Sequence, residues 1–164
     1  MRKLLLIGLV CAAPLVLGTA AYLLGWAPGK TGNYGELIEP RPVAIEPLAA
    51  LRGKWVLVST DAAACDAYCE RKLYFMRQVR RAQGKDMDRI ERLWLVSSAG
   101  EPRPELLAAI EGTHRARLGD PAFVPEHIYL VDPLGNLMLR FPRDPDPSRM
   151  IRDLQRLLKY SRSG

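Results

Sequence analysis

The sequence predicts an α/β sandwich on a mixed central sheet, preceded by one N-terminal transmembrane helix. Three observations carry this expectation. No charged residue occurs from Leu4 to Gly29. What remains, about 135 residues, is the size of one domain. Within that remainder, strand-length apolar runs alternate with helical patterns and end in a hairpin and an amphipathic helix.

Composition narrows the classes. The chain has 164 residues, 48% hydrophobic and 26% charged, which excludes disorder and leaves no room for two full domains. A mean hydropathy of -0.08 would suit a soluble protein, but the average hides the uncharged N-terminal run. No second apolar run reaches the roughly 20 residues of a membrane span, so a polytopic protein is excluded. Three cysteines are too few for a disulfide-scaffold mini-protein.

The N-terminus sets the expected compartment. Met1-Arg2-Lys3 is a positive head, and the run from Leu4 to Leu24 is long enough to cross the bilayer. Trp26 stands where an interfacial aromatic would sit, and the positive head stays cytoplasmic. The rival is a cleaved signal peptide ending at Gly18-Thr19-Ala20. Because the apolar run continues past that site, residues 1–27 are read as an uncleaved anchor. Both readings place the domain outside the cytoplasm, on an inner (cytoplasmic) membrane with the C-terminal domain in the periplasm. Cys11 follows Val10 rather than a small residue, so it is read as a membrane-helix residue and not as a lipidation site. Seven prolines and glycines between Pro28 and Pro47 mark residues 28–49 as a tether, and residues 50–164 as the exported domain.

In that domain, 54–60 reads as a buried strand and Cys65 to about Gln83 as a helix with Cys69, Leu73, Met76 and Val79 near one face. Residues 93–98 form a second strand. Pro104 to Glu111 form a short helix, started by proline and stopped by Gly112. Residues 128–131 and 137–141 pair as a hairpin around Asp132-Pro133-Leu134-Gly135-Asn136. Pro147 to Tyr160 close the chain as an amphipathic helix with Met150, Ile151, Leu154, Leu157 and Leu158 apolar.

Cys65 and Cys69 stand where the first strand of the domain gives way to its first long helix. A helix N-terminus favours thiolate, and a spacing of four puts both sulfurs on one face. The pair could form a disulfide, or chelate a soft metal such as Cu(I) or zinc. A purely structural disulfide, or two inert thiols, is the plainer alternative.

The run Leu51-Arg52-Gly53-Lys54-Trp55-Val56-Leu57-Val58 followed by Cys65-Asp66-Ala67-Tyr68-Cys69 resembles the thioredoxin-like Sco/SenC family of membrane-anchored copper proteins of cytochrome c oxidase assembly. The anchor, the Tyr-Leu-Val-Asp-Pro-x-Gly hairpin and the last helix fit too, so the resemblance spans roughly residues 44 to 160. It implies a thioredoxin-like fold, copper as cofactor, and oxidase subunits or other assembly factors as partners. The chain departs from the family in lacking prolines after its cysteines, where Asp66 and Glu70 stand. The third copper ligand of the family, a histidine ahead of the Asp-Pro turn, maps to Val124. His127 lies three residues later, and an odd offset along a strand faces it the other way. A copper site of Cys65, Cys69 and His127 is one expectation. Thioredoxin-like oxidoreductases also carry a cis-proline just before this hairpin, and Pro125 lies close to that place. A cis Pro125 would favour thiol-disulfide exchange.

The formal net charge is +6, of which the head supplies two units. Arg71, Lys72, Arg77, Arg80, Arg81, Lys85, Arg89 and Arg92 cluster in and after the first helix of the domain. An exported, tethered domain has no nucleic-acid partner. Anionic headgroups or an acidic protein suit the cluster, and a solvated helix face is the plainer reading. His114, beside Arg115, reads as a surface residue, and Met76, Met138 and Met150 as packing. There is no phosphate loop, paired catalytic carboxylate or nucleophile elbow. Three functions follow: copper handling by the dithiol, thiol-disulfide exchange through Cys65, or a non-catalytic assembly module docking through its basic helix.

Overall fold

The structure, a computed structural model, describes residues 2–24, 32–117 and 123–161. It divides into two units, Met1–Gly32 and Asn33–Gly164.

The first unit is a single helix, α1 (Arg2–Leu23). Its 22 residues extend about 33 Å, and Leu6–Leu23 is apolar enough to cross a membrane. Leu9, Val10, Leu15 and Leu17 are exposed, as is Cys11. Pro14 lies within the helix, and Thr19 Oγ1 donates to the Leu15 carbonyl at 2.7 Å. Trp26 and the start of the expected tether lie outside the described residues.

The second unit runs β1 (Glu36–Pro42), α2 (Glu46–Ala50), β2 (Trp55–Asp61), α3 (Ala67–Arg81), a 3-10 turn (Gly84–Arg89), β3 (Ile90–Val96), α4 (Pro104–Ala109), β4 (His114–Arg117), β5 (Ile128–Val131), β6 (Asn136–Arg140) and α5 (Pro147–Tyr160). The six strands form one mixed sheet in the order β1-β6-β5-β2-β3-β4. β2 pairs in parallel with β3, and β3 with β4. The β2–β5, β5–β6 and β1–β6 pairs are antiparallel. The expected mixed sheet with helices is therefore present.

Strand alternation sends alternate residues to two cores. Trp55, Leu57, Ile90, Trp94, Ile128 and Leu130 face α3 and α5, meeting Leu73, Met76, Val79, Met150, Leu154 and Leu158. Val56, Val58, Leu93, Leu95, Tyr129 and Val131 pack with Leu48 of α2 and with Val43, Ile45 and Phe123. The β5–β6 turn is set by Asp132, whose Oδ1 accepts from Leu134 N and Asn136 N at 2.9 and 2.8 Å. Gly135 there takes a φ of 90°, which favours glycine.

Part of the expected tether belongs to this sheet. Residues 36–42 form an edge strand, and Glu46–Ala50 a short helix. The two prolines of β1 hid it. An edge strand tolerates them where no ladder hydrogen bond is needed, and the β1–β6 register is interrupted between Leu37 and Arg41. β1 is mostly exposed and has no apolar alternation to read. β4, with sequence His-Arg-Ala-Arg, is the opposite edge, and its charges suit an edge. His114, expected as a surface residue, begins this strand.

Two contacts hold the chain entering β1. Asp153, 5% exposed on α5, accepts from Tyr34 N and Gly35 N, each at 2.8 Å. A Cβ on Gly35 would fall 2.4 Å from Leu139 Cδ2, so the approach of the two strands requires glycine. Asp153→Ala leaves both amides without their charged acceptor. It should cost about 2–3 kcal/mol in chemical denaturation of the full chain and speed amide exchange along β1. A loss below about 0.5 kcal/mol would show that Asp153 does not anchor this edge.

Candidate functional site

The candidate site lies at the C-terminal end of β2. All seven residues of that strand are buried, and it has a parallel neighbour on one side and an antiparallel one on the other. In an open α/β sheet such a reversal leaves a crevice at the strand ends. The chain leaves β2 through Ala62–Cys65, where Ala63 N donates to Ser98 Oγ at 2.9 Å and Cys65 N to the Ala62 carbonyl at 3.0 Å.

The helix does not begin at Cys65, as its pattern suggests. Asp66 is the N-cap, its side chain accepting from Cys69 N at 2.9 Å. A capping aspartate ends the extended chain at its own position, so Cys65 stands outside the helix and Cys69 in its first turn. Cys65 takes a φ of 40°. For a non-glycine residue this left-handed backbone costs about 1–2 kcal/mol and persists only where the surroundings fix it. Here the residue is tied by a Cys65–Cys69 disulfide with Cα atoms 5.2 Å apart, within the usual range. Arg103, the N-cap residue of α4, also donates to the Cys65 carbonyl at 3.4 Å and pairs with Glu70.

Cys65, expected as the exposed thiol, is not exposed. The two cysteines are 3% and 1% accessible and belong to the α3-facing core. A cavity of about 690 Å³ lies between α3 and α4, lined by Ala67, Glu70, Tyr74, Phe75, Leu106 and Ile110 among others but by neither cysteine.

The most telling group near the pair was not among the candidates. Lys72, counted from sequence with the basic cluster, is buried: it follows Cys69 by three residues and shares the apolar stripe of α3. Its Nζ donates to Asp61 Oδ1 at 2.9 Å, to the Thr60 carbonyl at 3.4 Å and to the Pro125 carbonyl. Asp61 Oδ2 lies 2.8 Å from the same nitrogen without hydrogen-bond alignment. Burial pushes the Asp61 carboxyl above the ordinary aspartate range, and Lys72 opposes that rise. Tyr68 adds a second tie: its hydroxyl donates to the Glu126 carbonyl at 2.9 Å. Arg71, Lys72 and Arg143 lie 5.0–5.9 Å from its ring centre. Burial raises the Tyr68 phenol. The sequence signal for Lys72 was a charge at a core-facing helix position; Tyr68 gave none.

Lys72 and Tyr68 thus hold the 123–127 loop by its carbonyls. No peptide bond among the described residues is cis, so Val124–Pro125 is trans and the expected cis-proline is absent. Pro125 is exposed. What meets the site is its carbonyl rather than its ring.

His127 does not join the cysteines. Its ring packs edge-to-face on Tyr129, centroids 6.0 Å apart, and Tyr129 belongs to the opposite core from Cys65 and Cys69. Nδ1 lies 2.8 Å from the Phe141 carbonyl. Val124, at the family's ligand position, offers no donor. Among the described residues no three His, Cys, Asp or Glu side chains converge. The donor set does not fit the expected three-ligand copper site.

This geometry defines a thioredoxin-like domain with a disulfide at the head of its first long helix. The family model "Transmembrane-like, thioredoxin-like, C-terminal domain" matches residues 55–161, and the chain belongs to that family. Copper-bound ScoI from Bradyrhizobium japonicum superposes with a TM-score of 0.52 at 23% identity, over 66% of this chain and 88% of that one. Apo Sco1 from Thermus thermophilus gives 0.58 at 16%, over 79% and 99%. BsSco, a Sco-family cytochrome c oxidase assembly protein with a disulfide switch, gives 0.50 at 13%, over 79% and 96%. These likenesses establish a Sco-like thioredoxin fold. No curated protein matches the chain.

Breaking the Lys72–Asp61 pair from either side should be costly. Lys72→Met or Asp61→Leu strands a buried charge and should each lose about 3–5 kcal/mol, whereas the double variant should recover most of the loss. Additive losses would deny the pairing. The pH dependence has a definite sign. Protonation of Asp61, with its raised value, favours the fold. That contribution is present below the ordinary aspartate value and is lost as pH rises through the raised one. In Lys72→Met nothing opposes burial, so its deficit in denaturation of the full chain should be largest near neutral pH and shrink toward about pH 4. A deficit independent of pH would rule out this account.

Proposed function

We propose that the chain is a membrane-anchored thiol-disulfide exchange protein whose domain lies outside the cytoplasm and serves assembly of a respiratory cytochrome oxidase. The observation that carries this reading is the Cys65–Cys69 disulfide itself, closed across the first turn of α3, with no cluster of three metal-ligating side chains among the described residues. In support of the oxidase setting, BsSco is described as a member of a family of oxidase assembly proteins and as holding a disulfide switch. The apolar helix at the positively charged N-terminus supports the orientation.

The exchange balances as follows. In the reduced chain, opening of the 62–66 segment exposes the otherwise buried Cys65 sulfur, and its thiolate attacks a client disulfide, forming a mixed disulfide and releasing one client thiolate. The Cys69 thiolate then attacks the Cys65 sulfur, releases the second client thiolate and closes the Cys65–Cys69 bond. Two electrons pass to the client, and an external dithiol donor restores the reduced form. The cavity between α3 and α4, which reaches Ala67 in the first turn of α3, offers the client an apolar surface.

Copper handling is the second reading, because a similar chain, ScoI of Bradyrhizobium japonicum, holds copper. The donor set disfavours it here: in the reduced chain two thiols would be available, and His127 would add nothing.

The full chain in detergent micelles should titrate as a two-electron couple in thiol redox buffers. With glutathione disulfide, Cys69→Ala should accumulate an adduct at Cys65, and Cys65→Ala should not. A bond that resists dithiothreitol in the native state would end the exchange reading. Tight anaerobic Cu(I) binding that is lost in His127→Ala would replace it with copper handling. In cells lacking the chain, oxidase activity should fall and return with the native chain but not with Cys65→Ala. Unimpaired oxidase activity would remove the assembly role.

A further inference from the structure

A second cavity, of about 600 Å³, lies where α3, β3 and the end of α4 meet, and four guanidinium groups line it. Arg77, Arg80 and Arg81 come from α3, and Arg92 from β3. Arg92 is the unusual one. It stands between Ile90 and Trp94 on the α3-facing side of a central strand, a place where an apolar residue is expected. It is 4% exposed.

This buried charge has little compensation. Nη2 donates to the Glu111 carbonyl at 2.8 Å, while Nε and Nη1 have no acceptor in the protein. Burial, and then repulsion from Arg80, Arg77 and Arg81, holds its pKa down to about 10, against the pull of Glu91. Arg77 donates to the Ala109 carbonyl through Nη1, and its Nε has no acceptor. Arg80 donates to the Ile90 carbonyl at 2.6 Å and lies loosely against two carboxylates, Asp88 at 3.8 Å and Glu91 at 3.9 Å. Glu91 is shared with His114, 3.6 Å away. Four guanidiniums thus face Glu91 and Glu111 around the cavity, with Asp88 at its margin beside Arg80 as a third carboxylate.

Capping the carbonyl end of α4 explains one donor on each of Arg77 and Arg92. It does not explain Arg80, Arg81 or the donors left over. A core-facing arginine surrounded by like charges is stabilised by an anion beside it. Several guanidiniums around one point suit a tetrahedral oxyanion with many acceptor oxygens better than a single carboxylate.

We propose that this cavity binds a phosphate group, with the Arg92 guanidinium as its floor and Arg80 and Arg81 as the arms that close on it. The group is either that of a small soluble phosphate or that of an anionic lipid headgroup. The proposal stands apart from the disulfide chemistry.

The probe is inorganic phosphate, titrated calorimetrically into the full chain in maltoside micelles, with chloride at matched ionic strength as the control. Saturable binding at one site per chain is expected, weakened about tenfold or more in Arg92→Gln and in Arg81→Gln. Arg81 is exposed, so its variant keeps the test valid if Arg92→Gln fails to fold. Adding phosphatidylglycerol to the micelles separates the sources. A headgroup ligand displaces inorganic phosphate from the native chain but not from residual binding to Arg81→Gln, whereas a soluble ligand leaves the titration unchanged. No saturable phosphate binding, or equal binding by the native chain and both variants, overturns the proposal.

Discussion

The geometry of the site depends on one buried ion pair. Lys72 and Asp61 are taken almost wholly out of water, a desolvation that the mutual attraction of two charges often fails to offset. Here the ammonium also finds backbone carbonyls on two separate segments, Thr60 at the end of β2 and Pro125 in the loop before β5. All of its donor capacity is used. The pair therefore fastens three pieces of chain at one point: the strand that leads to Cys65, the helix that carries Cys69, and the loop beside them. A hydrophobic pair of similar volume could fill the space but could not fix the loop carbonyl. The advantage of the charges is positional, and the raised Asp61 carboxyl reflects its cost.

With that point fixed, the rest of the sheet explains why the disulfide stands where it does. β2 is the only strand among those described that borders both the parallel and the antiparallel parts of the sheet. Its end is where connections diverge and a crevice opens. Asp66 then starts α3 one residue after Cys65, leaving that cysteine in a left-handed conformation and turned back toward the first helical turn. A helix that began at Cys65 itself would have placed both cysteines in regular backbone. The capping aspartate is what makes a four-residue spacing compatible with a disulfide here.

Much of this was legible in the sequence, and the failures have physical causes. The amphipathic patterns of α3 and α5, the buried run of β2 and the Asp-Pro-Leu-Gly-Asn turn encode themselves through periodicity and turn chemistry. β1 and β4 do not, because edge strands bury little and tolerate proline and charge. The cysteine pair was legible as a pair, and the burial of Cys69 followed from its place on the apolar face of α3, but that of Cys65 did not, because it lies before the helix where no periodicity reports on cover. His127 lies in the loop before β5, where strand alternation does not set direction, and its edge-on packing against Tyr129 was not readable from its offset. The trans bond before Pro125 was not encoded locally, since an X-Pro isomer is chosen by its tertiary surroundings.

Besides Asp61, the partner of Lys72, three charges break the apolar pattern of this domain, and each marks a place where the fold does more than pack. Lys72 interrupts the stripe of α3, Asp153 the stripe of α5, and Arg92 the buried face of β3. Binary patterning alone would place an apolar residue at all three. Asp153 is answered by two backbone amides and holds an edge strand on the sheet. Lys72 is answered by a carboxylate and two carbonyls and fixes the loop beside the disulfide. Arg92 is answered by a single carbonyl and crowded by other arginines. The first two charges are neutralised or fully bonded within the protein, so structure accounts for them. Only the third keeps an uncompensated charge beside a cavity, so an anion there is its natural complement.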